Sequence, residues 1–404
     1  MHLTPSEELI LNGEQGYVLQ KAMEILTALG DIYDADRLIP VTSTQIAGVS
    51  YKNIGEAGLE WISGLSGTVK VPSILNPAGL DRVRWRELSI SEEFAAKQEE
   101  VIRAYESLGI LPWCTCTPYE IQADLALPGD HLAWSESSAV AYANSVIGAR
   151  TNREGGPSAL AAALIGKTPN YGYHLDRNRL PTIAIRVEGR LIGSDYGALG
   201  YIAGAIAGSG VPIFSLESVP SNDERKSLGA AMAASGAVAL HYIEGAPPLP
   251  PTLPYPHPHP HPQLQPDQDM QDVDERITIE HAEIEKVYQA HQCDPDLIAI
   301  GCPHCSAVEL VRLRDMLAGK TVTKEFWIFT SGILRDRHPD IVAGIESSGA
   351  KVICDTCMVV SPFCERFSCI MVTSGKALSY VPQMCGSDAV LGSIEDCVRS
   401  AVTP

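Results

Sequence analysis

Residues 297–305 read Leu297-Ile298-Ala299-Ile300-Gly301-Cys302-Pro303-His304-Cys305, an apolar run that breaks at glycine into a cysteine-bearing loop. A helical pattern follows over about Ala307 to Leu317. The unit then recurs. Phe326-Trp327-Ile328-Phe329 runs into Thr330-Ser331-Gly332 and a helix over about Asp340 to Ser348. Lys351-Val352-Ile353 runs into Cys354-Asp355-Thr356-Cys357, and Cys369-Ile370-Met371-Val372 into Thr373-Ser374-Gly375-Lys376. Continuous apolar strands alternating with helices predict an α/β fold with a parallel sheet covered on both faces. Ligands of such sheets bind outside the carboxyl ends of the strands. The four loops therefore share one edge, where cysteines distant in sequence converge.

The rest of the chain supports a multi-domain α/β body. At 404 residues and 45% apolar content it is too long for one simple core, so two or three domains are expected. Four regions are read: an N-terminal α/β region 1–125, a middle α/β domain 126–245, a Pro/His-rich linker or surface loop 246–271, and a C-terminal α/β domain 272–404. The N-terminal region opens with a helix over about Pro5 to Gly30, capped by Thr4 with Glu7 three residues on. Leu38 to Thr42 and Gly67 to Ile74 read as strands, with a polar glycine turn at Gln45 to Tyr51. A helix at Glu92 to Leu108 precedes the run Gly109 to Trp113. In the middle domain, Glu136 to Ala149 reads as a small-residue helix, and Pro181 to Val187 and Ala231 to Tyr242 as strands. The linker alternates His and Pro. His257, His259 and His261 are candidate metal ligands, but a polyproline turn does not hold every second side chain on one face.

Thirty basic residues against 49 acidic ones give a formal charge of -19. Such a surface repels phosphate backbones and anionic lipids, which argues against nucleic acid or membrane as partner. An anionic small molecule remains possible if its site is locally positive. Leu191 to Phe214, with Gly200, Gly204 and Gly208 at four-residue spacing, suits a buried helix packed on a sheet better than a membrane span. With no basic, apolar leader at the N-terminus, a cytoplasmic location is expected.

Nine of the 11 cysteines follow Ala290. In a reducing compartment this density points to metal or catalysis rather than disulfides. Cys302/Cys305 and Cys354/Cys357 form two C-x-x-C pairs, which suit a closed zinc site. Their 48-residue separation exceeds the roughly 15–20 of a zinc ribbon. Ordinary buried thiols are a further reading. An iron–sulfur cluster is the third: three thiolates leave one iron open as a Lewis acid for a substrate hydroxyl.

The motifs Cys116-Thr117-Pro118-Tyr119, Gly301-Cys302-Pro303-His304, Asp355-Thr356-Cys357 and Ser374-Gly375-Lys376 resemble those of the aconitase X family. So do Leu11 to Gly16, Gly48-Val49-Ser50-Tyr51, Leu75-Asn76-Pro77 and Asn144 to Pro157, in the same order along nearly the whole chain. The resemblance implies an aconitase-like large subunit whose site closes with a separate small subunit, since no segment after Lys376 is long enough to supply that part. It implies Cys116, Cys302 and Cys357 as ligands of an iron–sulfur cluster, 4Fe-4S by preference, leaving Cys305 and Cys354 as packing residues. It implies Gly48, Val49, Ser50, Asn76, Pro77 and Lys376 as substrate-binding positions. Backbone N–H groups of the Gly48–Ser50 turn, and an ammonium at a helix start, suit an anion. Arg150 and Arg153 are further anion-binding candidates. Gln45 stands where many relatives would carry histidine, which removes a basic side chain there.

The activity implied is that of a hydro-lyase. Relatives with a separate small subunit resemble phosphomevalonate dehydratases, which convert (R)-5-phosphomevalonate to trans-anhydromevalonate 5-phosphate in a modified mevalonate route to isoprenoids. Fused relatives resemble cis-3-hydroxy-L-proline dehydratases. No catalytic base is assigned to this chain; by analogy it is a serine on the small subunit. A metal-binding regulatory subunit without catalysis is the non-enzyme alternative.

Overall fold

The computed structural model describes residues 1–246, 273, 275–290 and 292–402. All but the first residue of the Pro/His-rich linker, with its three histidines, lies outside the described residues. Three all-parallel sheets organise the chain. The strands are β1 (Leu38–Pro40), β2 (Thr44–Ile46), β3 (Ser73–Leu75), β4 (Leu111–Cys114), β5 (Ala133–Trp134), β6 (Lys167–Pro169), β7 (Ile183–Glu188), β8 (Pro212–Ser215), β9 (Tyr242–Ile243), β10 (Glu275–Glu280), β11 (Leu297–Ile300), β12 (Glu325–Thr330), β13 (Lys351–Cys354), β14 (Cys369–Val372) and β15 (Asp388–Leu391). The sheets run β4-β3-β2-β5, β10-β7-β8-β9 and β13-β12-β11-β14-β15; β1 and β6 form an antiparallel pair.

The pairing divides the chain elsewhere than at residues 125 and 271. β5 pairs with β2, so the first unit extends past residue 126. β10 pairs with β7 along its full length, so residues 275–280 belong to the middle sheet. Strand partnership across a long crossover leaves no mark in local composition, which is why the linker looked like a boundary.

The repeating strand–helix pattern after Leu297 forms as read. Β-strands β11, β12 and β14 are buried almost throughout, as expected for a sheet covered on both faces. Elsewhere the local pattern misled. The N-terminal helix is two helices, Pro5–Leu11 and Tyr17–Ile32, because Gly13 (φ +85°) and Gly16 (φ +96°) turn the chain left-handed between them. The capping box of Thr4 and Glu7 is present. Gln45 lies in β2, and the glycine turn begins only at Ala47. Of the run Gly67 to Ile74 only its last two residues are strand. Ala231 to Ser235 ends the helix Asn222–Ser235, whose start is set by a Ser221/Glu224 capping box; only Tyr242–Ile243 is strand.

The glycine-rich helix is Asp195–Ala207. Gly200 and Gly204 face the helix Asn222–Ser235, where a Cβ at Gly200 would stand 2.5 Å from the Leu228 carbonyl oxygen. Small residues thus let two helices of the middle unit touch, rather than a helix and a sheet. Among the described residues no helix is long and apolar enough to cross a membrane. One pair of thiols departs from the expectation of free cysteines: Cys293 and Cys369 are joined by a disulfide, with Cα atoms 6.2 Å apart.

Candidate active site

In an open parallel sheet the crevice for a ligand opens where strand order reverses. In the first sheet the reversal lies between β2 and β5, whose carboxyl ends lead into Ala47-Gly48 and Ser135-Glu136. In the third it lies between β11 and β14, leading into Gly301-Cys302 and Ser374-Gly375-Lys376. The two edges are sewn together. The Ala78 N–H donates to the Asp355 carbonyl (2.9 Å), and the Thr356 hydroxyl donates to the Ala78 carbonyl (2.8 Å). The Cys354 N–H donates to the Asp81 carboxylate at 2.8 Å. Asp355 makes the turn at φ +62°, in the left-handed region that Asp tolerates better than most residues. Asn76 and Pro77 are thereby held beside the loop of Cys357.

Three of the buried or half-buried thiols meet at this junction. Those of Cys302 and Cys357 are in hydrogen-bond contact; Cys116 bears on the charge state of Cys302, and Cys357 on that of Cys116. The Cys357 contact, then burial, push the Cys302 thiol up. The same contact pulls Cys357 down against its burial, helped by the Lys376 ammonium. Of two touching thiols one ionises first, and the Lys376 charge favours it. Burial pushes Cys116 up to about 12, and Lys376 opposes this. Cys305 and Cys354 are instead packed into the apolar cluster of the third unit.

His304 ties the three thiol-bearing loops. Its Nε2–H donates to the Thr356 carbonyl at 2.8 Å, which assigns Nδ1 as acceptor from the Thr115 hydroxyl at 3.1 Å. Its backbone N–H donates to Cys116 Sγ at 3.2 Å. Burial lowers the imidazole to about 4, so the ring is neutral, as this tautomer requires.

Beside the thiols lies a polar cluster that local sequence could not reveal. Lys376 Nζ pairs with Glu136 Oε1 and donates to Ser138 Oγ at 3.1 Å. The other oxygen of Glu136 accepts from Asn76 Nδ2 at 2.8 Å. Burial alone would raise Glu136, but the Lys376 charge and these bonds hold it at about 2. Burial alone would lower Lys376, but Glu136 first and then the neighbouring thiols keep it raised. Both groups are therefore charged, and one Lys376 N–H remains free for a ligand. The Asn76 carbonyl oxygen is buried with no partner.

The Gly48–Ser50 turn is fixed by Gln98, which the sequence reading passed over. Gln98 Nε2 donates to the Val49 carbonyl at 2.7 Å, while its Oε1 accepts from the N–H of Tyr51 (3.0 Å) and of Gly79 (2.9 Å). Gly48 takes φ +82°, and its carbonyl accepts from the Tyr105 hydroxyl. The Ser50 hydroxyl donates to the Val360 carbonyl at 2.6 Å, three residues past Cys357, so it fastens the turn to that loop. The helix Gly156–Ile165 starts against the same turn: a Cβ on Gly156 would stand 2.5 Å from the Ala47 carbonyl oxygen. Gln45 donates from Nε2 to the Thr115 carbonyl, next to Cys116, and its own carbonyl oxygen is buried without a partner. The two arginines part company. Arg150 is spent on the fold, bonding the His174 carbonyl and Asp176. Arg153 is exposed and, among the described residues, bonds only neutral groups, the Ala233 carbonyl and the Tyr380 hydroxyl.

A cavity of about 370 Å³ between the middle and third units also reaches Cys302 and Ser374. Asp223, Glu224 and Glu309 line it, and both of its cations are already paired, Lys226 with Asp223 and Glu309 and Arg312 with Glu395. That charge balance does not suit an anion.

The aconitase X first-domain model matches residues 1–177, the second-domain model 181–289 and the third-domain model 295–403. The chain belongs to the aconitase X family. The three aconitase X spans coincide with the three sheets. Curated relatives are dehydratases. The phosphomevalonate dehydratase large subunit of Methanosarcina mazei is 58% identical over 99% of this chain and 97% of its own length. The cis-3-hydroxy-L-proline dehydratase of Pseudomonas aeruginosa is 30% identical over 98% of this chain but only 69% of its own. The crystal structure of Thermococcus kodakaraensis aconitase X in its holo-form superposes with a TM-score of 0.89, at 42% identity, covering 99% of this chain and 100% of that one. The aconitase-like α/β body expected from the motifs is thus the observed fold.

Proposed function

We propose that this chain is the large subunit of a cytoplasmic hydro-lyase that dehydrates (R)-5-phosphomevalonate to trans-anhydromevalonate 5-phosphate, with an iron–sulfur cluster on Cys116, Cys302 and Cys357. The observation that carries this is the meeting of those three thiols, one from each of three strand-end loops, beside the charged Lys376–Glu136 pair. Among the described residues no three His, Cys, Asp or Glu side chains close on one point as ligands of a single ion do. Three thiols on separate loops suit an iron–sulfur cluster, and the closed four-thiolate zinc site is disfavoured because Cys305 and Cys354 lie in a separate apolar cluster. A bound cluster with one iron free of protein thiolate supplies Lewis acidity to a substrate hydroxyl.

The chain's own residues do the rest. Lys376, kept charged by Glu136, offers its remaining N–H to an anionic oxygen. Asn76 presents an unpaired carbonyl oxygen to a hydroxyl. Gly48, Val49 and Ser50, with Pro77 alongside, shape the wall on which the substrate rests. Dehydration removes a proton alpha to the carboxylate and the hydroxyl from the next carbon, leaving a double bond and water. The base for that proton is assigned to the small subunit, in keeping with relatives that are named large subunits. The same relatives favour phosphomevalonate over hydroxyproline as substrate.

The test is co-expression with the small subunit under anaerobic conditions, followed by assay of both substrates. Loss of water from phosphomevalonate, with visible cluster absorbance that Cys357→Ser removes, is the expected result. Turnover of cis-3-hydroxy-L-proline alone, or full turnover by Cys357→Ser, overturns the proposal.

A further inference from the structure

Lys376 is already neutralised by Glu136, and the chain as a whole is acidic. A substrate with an anion at each end needs a second cation, and the thiolates add further negative charge. Arg153 is placed to supply it. Among the described residues its guanidinium pairs with no carboxylate. The two bonds it makes leave three of its five N–H donors free. Because the Tyr380 hydroxyl accepts from Arg153 at 3.3 Å, its own proton is free to donate. Tyr380 follows Lys376 by one helical turn, and the Lys376 ammonium lies 5.9 Å from the Tyr380 ring centroid. Ammonium and guanidinium therefore both stand against one tyrosine side chain, the first over its ring and the second at its hydroxyl, so one acid with a charge at each end can reach both.

We propose that Arg153, with the Tyr380 hydroxyl, binds the phosphate of the substrate and so selects a phosphorylated hydroxy acid over its unphosphorylated counterpart. This rests on the dehydratase reading above. A guanidinium fork matches phosphate oxygens in pairs, which a lysine cannot reproduce. The competing reading is that Arg153 merely ties the first unit to the helices carrying Ala233 and Tyr380. A tie would affect stability and turnover of every substrate alike, whereas a phosphate ligand affects one substrate through KM.

The experiment uses the anaerobically assembled two-subunit enzyme and compares (R)-5-phosphomevalonate with (R)-mevalonate, with inorganic phosphate as competitor. Arg153→Gln is expected to raise KM for the phosphorylated substrate by about 100-fold with kcat within about threefold, the scale of lost charge-assisted hydrogen bonds. Inhibition by inorganic phosphate should disappear, and the preference for the phosphorylated acid should collapse by the same factor. Arg153→Lys should raise KM by about tenfold, and it carries the test if the glutamine variant does not fold. A KM within about threefold of wild type for the variant that folds, or an equal loss on both substrates, overturns the inference while leaving the dehydratase intact. If the wild-type enzyme dehydrates only hydroxyproline, both fall together.

Discussion

The imidazole of His304 donates to the carbonyl of Thr356 at 2.8 Å, one residue ahead of Cys357. The same ring accepts from Thr115, one residue ahead of Cys116. A single neutral side chain thus sets the relative position of two loops that carry proposed ligands, from a third loop that carries Cys302. His304→Ala leaves a buried carbonyl and a buried hydroxyl without that partner, at about 1–3 kcal/mol each. The expected outcome is an apo chain destabilised by about 2–4 kcal/mol in urea titration, and a purified enzyme with reduced iron and sulfide content. Wild-type iron content in this variant would show that the three loops hold their positions without the ring.

Lys376 and Glu136 form a buried ion pair, so removing one partner strands the other. Lys376→Met and Glu136→Gln should each destabilise the fold by about 3–5 kcal/mol. The double variant should recover most of that loss, because neither charge remains. Activity should not recover, since the free N–H of Lys376 is gone. Chemical denaturation and assay of the three variants separate the two roles; a double variant that regains turnover would remove Lys376 from substrate binding.

Gln98 closes three backbone hydrogen bonds around the Gly48–Ser50 turn. Gln98→Ala should cost about 3 kcal/mol, at about 1 kcal/mol for each bond. It should also raise KM more than it lowers kcat, because the turn loosens while the thiol site is untouched. Gln98→Glu should be worse than alanine despite its shape, since it sets a carboxylate oxygen against the Val49 carbonyl. Steady-state kinetics on both variants check the order.

Stability should fall in two stages as the solution is acidified. Burial, with the Arg225 charge adding to it, holds His241 at about 3, and burial holds His174 well below its ordinary value of 6.5. Below about pH 6.5 the unfolded chain takes up protons that these folded sites refuse, so stability declines from there to about pH 3, where His241 itself protonates in the fold. Glu136 acts lower. Its folded value of about 2 stabilises the fold above about 4.5, and this contribution is lost as pH falls from there toward 2. Thermal midpoints measured from pH 7 to 3 should show both stages, and His241→Asn should flatten only the upper one.

What the sequence made legible follows from how locally each feature is encoded. Four strands of the third sheet could be read because each is an apolar run leading into a glycine or cysteine loop; β15, which opens on exposed Asp388, carries no such signal. In the middle unit the strand at Pro181 to Val187 and the buried glycine helix could be read, but not the helix's partner, because the pair packs through Gly200, Gly204 and small alanines that carry no amphipathic stripe. β10 follows β9 in the chain but pairs at the opposite edge of the sheet, so its place beside β7 is a tertiary fact. The site divides the same way. Strand-end cysteines and Lys376 were readable as residues that chemistry needs at strand ends. Glu136, Gln98 and His304 act by reaching other elements, 240, 49 and 52 residues away in the bonds to Lys376, Val49 and Thr356. Glu136 had one local signal, its position directly after the short strand Ala133–Trp134, but that strand was not recognised without its partner β2. Ser50 shows the converse: expected to face a ligand, its hydroxyl donates to Val360 instead.

The sharpest test of the ligand assignment sets Cys305, three residues from Cys302, against the proposed ligand Cys357. Cys305 shares a C-x-x-C motif with Cys302, and Cys354 shares one with Cys357, so a zinc-type reading treats all four as equals. The structure separates them: the thiols of Cys302 and Cys357 touch, while Cys305 and Cys354 sit among Ile298, Ile300, Phe326 and Val352. Cys305→Ser places a hydroxyl in an apolar pocket and should cost about 1–2 kcal/mol of stability, with the cluster spectrum and turnover retained. Cys357→Ser should leave the fold near its wild-type stability as an apo chain but abolish the spectrum and activity together. Anaerobic reconstitution with iron and sulfide, followed by absorbance and assay, reads both outcomes. If the two variants lose iron equally, the four cysteines do act as one set, and the reading built on Cys116 is wrong.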